Sequence, residues 1–143
     1  MSATVKYLQP REFSGSFGAG EKGVRDVVVM LTCISTGTDE TLVEKVDLSA
    51  LRNSLGVAPS TTSLLGINYT TSGFTNIELL WDRAPKERMF VIGGNTSHSM
   101  EFGSVGGIKE NSDGSSGSGN ILLSTTGASA GDSYVILLHL RLN

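Results

Sequence analysis

Residues 132–143, DSYVILLHLRLN, carry an apolar side chain at every second position: Tyr134, Ile136, Leu138, Leu140 and Leu142. A strand sends successive side chains to opposite faces, whereas a helix repeats every three to four residues, so a period of two dictates a strand with one buried face. Each such side chain contributes ~1.5–3 kcal/mol when buried, which is enough to pin a chain end that would otherwise fray. The opposite face begins apolar with Val135 and Leu137 and turns polar at His139, Arg141 and Asn143. That half is expected to meet water or a partner.

The same pattern recurs upstream. DVVVMLTCIS (residues 26–35) is apolar on both parities, Val27, Val29, Leu31 and Cys33 against Val28, Met30 and Ile34, as in a strand covered on both faces. The second covering is either an arm or a partner subunit. TGTDE turns the chain into TLVEKVDL. DLSALRNSLG then spaces Leu48, Leu51 and Leu55 for one or two helical turns, with Asp47 or Ser49 as cap and Gly56 as stop. In SLLGINYTTSGF, Leu65, Ile67 and Tyr69 alternate with Gly66, Asn68 and Thr70; TNIELLWD alternates Ile77, Leu79 and Trp81 with Glu78, Leu80 and Asp82, and the two are expected to form a hairpin. RMFVIGG and SMEFGSVGG are shorter strands, and KENSDGSSGSGN is a flexible connection. NILLSTTG is expected to pair with the closing strand across ASAG. Eight strands with short turns and no internal repeat give an all-β fold, an antiparallel β-sandwich of jelly-roll type, with an open barrel as the alternative.

At 143 residues the chain is expected to form one domain. Residues 24–143 make the sandwich, and residues 1–23 make an extended N-terminal arm, Gly-rich with widely spaced apolar side chains and broken by Pro10. The formal charge of -3 comes with no run of Lys or Arg beyond two residues, which argues against a nucleic-acid partner. No apolar run approaches the ~20 residues that span a bilayer, and MSATVKYLQP lacks a signal-peptide core. One cysteine, Cys33, excludes an intrachain disulfide and reads as a buried thiol. A soluble protein made in a reducing cytosol is expected.

Catalytic and ligand signatures are missing. The two histidines, His98 between loop serines and His139 on the closing strand, are expected at the surface rather than as bases beside a nucleophile. No metal-ligand spacing links them to Cys33; the Asp113 loop is only faintly like a calcium loop. GSFGAG has the wrong glycine spacing for phosphate. An enzyme, a cofactor and a metal are therefore not expected. Trp81 is read as core or rim rather than as a sugar platform. The candidate contact residues are Tyr7, Leu8, Phe13 and Phe17 on the arm, and Arg83, Lys86 and Arg88 in the charged turn of residues 82–88.

VEKVDLSAL, INYTTSGFTNIELLWD, MEFGSVGGI and GNILLSTTGASAGDSYVILLHLRL, in this order over residues 41–142, resemble small virion structural proteins of tailed double-stranded DNA bacteriophages. An LLWD strand, an F-x-x-x-GG turn and a closing TTG…GD-Y-x-I-L hairpin recur in that group. The resemblance implies a capsid cement or decoration protein on the outer surface of the head, made in the bacterial cytoplasm. It also implies that the protein binds the major capsid protein, as a homo-oligomer with a trimer favoured. The same sandwich suits two other roles, a carbohydrate- or host-surface-binding module presenting Trp81 and Tyr69, and a tail or head-completion subunit.

Overall fold

The structure, a computed structural model, describes residues 2–9, 26–51, 58–110 and 117–142. Nine strands follow in chain order: β1 (Ser2–Gln9), β2 (Asp26–Thr36), β3 (Val43–Val46), β4 (Thr62–Ser72), β5 (Asn76–Arg83), β6 (Glu87–Gly93), β7 (Ser97–Glu101), β8 (Gly117–Thr126) and β9 (Ala130–Leu142). They form two sheets, one of five strands in the order β1-β2-β9-β4-β7 and one of four in the order β3-β8-β5-β6. Every pairing is antiparallel. From β2 onward each strand takes the place that an eight-stranded double-sheet jelly roll assigns it, so the expected fold class holds. β1 is a ninth strand added beside β2.

Alternation builds the core. Val27, Val29 and Leu31 of β2, Ile77, Leu79 and Trp81 of β5, and Tyr134, Ile136, Leu138, Leu140 and Leu142 of β9 are all buried between the sheets. The indole Nε1 of Trp81 donates to Thr62 Oγ1 at 3.2 Å, which satisfies the one polar group that a buried Trp carries. β9 lies in the middle of its sheet, between β2 and β4, and this is what holds the closing segment in place. Of the helical stretch, the described part is a 3-10 turn over Leu48–Ala50, with Asp47 accepting from the Ser49 amide; Leu55 and Gly56 fall in residues 52–57, outside the described part.

Two sequence expectations about pairing fail. β4 and β5 do not form a hairpin, and neither do β8 and β9, because in each case the two strands lie in opposite sheets. Alternation reveals which face a strand buries but not which strand lies beside it, and the short turns here cross the end of the sandwich. At the second crossing Gly127 adopts φ 76, a conformation that side chains disfavour, and the Asp39 carboxylate accepts from the amides of Gly127 and Ala128. The hairpin that does stay within one sheet is β5–β6, across the charged turn. A bulge at Leu65 also shifts the parity of β4: Leu64 and Ile67 face the core, and Leu65 packs beside Gly107 instead.

The arm is in part a strand. Residues 2–9 lie along β2, with Tyr7 half-buried against the core and Val5 exposed; residues 10–25 lie outside the described part.

Candidate docking face

The outer face of the five-stranded sheet divides along its length. On β2 the outward positions are Val28, Met30, Thr32 and Ile34; on β9 they are Val135, Leu137, His139 and Arg141, paired across as Thr32–Val135, Met30–Leu137, Val28–His139 and Asp26–Arg141. Ile34 is 62% exposed and Val135 43%. Large apolar side chains lying side by side on an open sheet face are a mark of a binding surface. The row ends in charge, where the Arg141 Nε donates to Asp26 at 3.0 Å and His139 Nε2 lies 3.7 Å from the same carboxylate. That hydrogen bond holds the guanidinium pKa above its usual value.

The other half of this face is polar. β4 turns Gly66, Asn68 and Thr70 outward, and β7 turns Ser97, Ser99 and Glu101 outward. A groove of about 490 Å³ runs between them and the Val135 and Leu137 wall. It adjoins a smaller hollow of about 180 Å³ floored by Gly66 and edged by Glu101, His139 and Val28.

Among the described residues, the candidate contact residues read from the sequence do not gather into one place. Tyr7 points its ring inward at its own core, and burial raises its pKa. Phe13 and Phe17, and the side chain of Leu8, lie outside the described part. Arg83 is buried, with its guanidinium 2.7 Å from Glu87 and 3.9 Å from Glu110, so the fully solvated turn that the charge density suggests holds one inward-facing cation. Lys86 bonds Asp82, and Arg88, largely exposed, reaches Glu78 at 3.2 Å. His98 stands in β7 rather than in a loop, its ring 6.5 Å from Tyr69. Trp81, 1% exposed, belongs to the core, and Tyr69 lies partly buried beside Phe90 at 6.3 Å; neither offers an open stacking platform.

One buried polar cluster had no sequence signal. Glu40 accepts from Lys45 Nζ at 2.5 Å and from the Tyr134 hydroxyl at 2.6 Å, with all three buried between the sheets. Desolvation and the Glu40 carboxylate push the Tyr134 hydroxyl far above its ordinary pKa, and burial raises that of the nearby Cys33 thiol. Among the described residues no three His, Cys, Asp or Glu side chains stand where they could share a metal ion, and no helix is long and apolar enough to cross a membrane. The Asp113 loop lies outside the described residues.

No family model matches the chain, and no curated protein matches it. Solved structures with some likeness include a family 29 carbohydrate-binding module mutant, at TM-score 0.39 and 8% identity over 98% of this chain and 91% of that one. Another is the CBM22-1 and GH10 part of a Clostridium thermocellum endo-1,4-β-D-xylanase complexed with xylohexaose, at TM-score 0.38 and 8% identity over 98% of this chain and 24% of that one. The two-sheet architecture rests on this chain's own strand pairing.

Proposed function

We propose that this chain is a binding module with no reaction of its own, acting on the surface of a bacteriophage head as a decoration protein that grips capsid subunits. The observation that carries the docking role is the outward apolar row Met30, Ile34, Val135 and Leu137 on the outer face of the five-stranded sheet, with Ile34 and Val135 exposed and Met30 and Leu137 half-buried. A sheet face of this kind holds a protein surface by desolvation. The capsid as the surface gripped comes from the resemblance of residues 41–142. Binding the assembled lattice and not free subunits stabilises the shell by mass action, and several copies joined together would tighten the grip.

The test is co-sedimentation with undecorated heads of the phage that carries the gene. The unaltered protein is expected to pellet with the heads, and Met30→Glu with Leu137→Glu, both outward and therefore compatible with the fold, is expected to stay in solution. If the double variant pellets as well as the unaltered protein, or if neither does, the reading is wrong.

A second reading, glycan binding, has its own observation: the hydroxyl and amide side chains of Asn68, Thr70, Ser97 and Ser99 line the groove on the same face. With Trp81 in the core, a sugar there would be held by hydrogen bonds rather than by ring stacking.

A further inference from the structure

The groove on the polar half of the sheet is built in tiers. Strand register sets Ser97, Thr70 and Val135 side by side, then Ser99, Asn68 and Leu137, then Glu101, Gly66 and His139. Successive tiers are two residues apart along β4, about 6.8 Å, which is also the repeat of same-side residues in any extended polypeptide. The floor carries only the small side chains of Thr70 and Asn68 and then the bare Gly66. One wall is apolar and the other bears hydroxyls, with Thr70 and Ser97 joined at 3.1 Å.

The last tier differs from the first two. The Glu101 carboxylate folds over Gly66, so that a Cβ at that position would lie 2.8 Å from Oε1. Among the described residues no cation stands within ion-pair distance of Glu101, while the neighbouring Asp26 is already engaged by Arg141. The hollow beside the glycine and its covering carboxylate is open to a long side chain, and the exposed carboxylate sets its charge.

We propose that this groove seats an extended segment of the protein partner, laid along β4, with short or apolar side chains in the first two tiers and a Lys or Arg in the Gly66–Glu101–His139 tier. The inference rests on the docking reading above and names what the partner must present. The matched repeat favours an extended polypeptide, and the exposed Glu101 carboxylate, with no ion pair among the described residues, favours a basic residue at one fixed position.

The probe is the acetylated and amidated heptapeptide KTVTVTK, which offers lysine and valine at the right spacing in either direction, followed by the amide NMR spectrum of the intact protein. Saturable shifts confined to residues 66–70, 97–101 and 135–139 are expected. Glu101→Gln is expected to weaken binding about fivefold, the worth of one partly exposed charge pair. Gly66→Val, which displaces only the flexible end of Glu101, is expected to abolish binding while distant amides keep their positions. No shifts, equal shifts with ETVTVTE, or unchanged affinity in Glu101→Gln would each overturn the proposal. Shifts at the same amides with mannohexaose but not with KTVTVTK would overturn it too, in favour of a glycan. Met30→Glu alone lies outside the groove and reads the apolar row in head co-sedimentation, so either result can fail alone.

Discussion

At the scale of single residues, the most consequential group is Glu40, which holds Lys45 and Tyr134 inside the sandwich. Glu40→Ala leaves a buried ammonium without its counter-charge, and chemical denaturation is expected to show a loss of about 3–5 kcal/mol. Tyr134 supplies a pH signature. Its folded-state pKa is raised by desolvation and by Glu40, so its contribution is complete below the unfolded value near 10 and is lost as pH climbs. Stability is therefore expected to fall above pH ~10 by up to ~1.4 kcal/mol per pH unit, and Tyr134→Phe to flatten that slope, as read from urea midpoints across the alkaline range. None of this was legible in TGTDETLVEK, where Glu40 and Lys45 look like ordinary turn and strand-surface charges. What turns them inward is a tertiary fact, the approach of Tyr134 from a strand more than ninety residues away. Trp81 and Cys33, by contrast, were legible, because their parity with Val, Leu and Ile neighbours already places them in the core.

At the scale of elements, the eight strands of the jelly roll are visible in the period-two pattern, and their partners are not. The turns after β4 and β8 look like hairpin turns, yet they carry the chain from one sheet to the other. The feature that marks the second crossing is a carboxylate from elsewhere, Asp39, which binds two amides of the turn. Asp39→Ala is expected to cost about 1–3 kcal/mol in a thermal or urea melt, since it also removes the acceptor of the Thr125 hydroxyl at 3.0 Å. The docking face was half legible: Val135 and Leu137 stand out as apolar residues on the wrong parity, but the tiers require strand register, which no single segment encodes. β1 illustrates the same limit. Its spacing suggests an arm, and its antiparallel register with β2 makes it an edge strand, with Tyr7 packed against the core. Removing residues 1–9 is expected to leave the circular dichroism of the sandwich intact but to bare the edge of β2. The truncated protein should then self-associate in sedimentation velocity, because an uncovered strand edge templates further pairing.

At the scale of the whole molecule, the pairing of β2 with β9 dominates. Asp26 stands opposite Arg141 and Cys33 opposite Tyr134, so residues more than a hundred positions apart form the middle of the larger sheet. Such non-local pairing slows folding, and refolding from urea is expected in the millisecond-to-second range, without the microsecond phase of helical domains. A variant ending at residue 128 is expected to give no cooperative melt, since β2 and β4 would lose the strand between them. During synthesis, β9 leaves the ribosome after β1 to β8. Until it does, the chain has a gap at its centre that none of the earlier segments can fill. An interrupted product would therefore not be a weaker copy of the protein that competes for its binding position; it would be an open sheet with two bare edges, marked for proteolysis before reaching any surface.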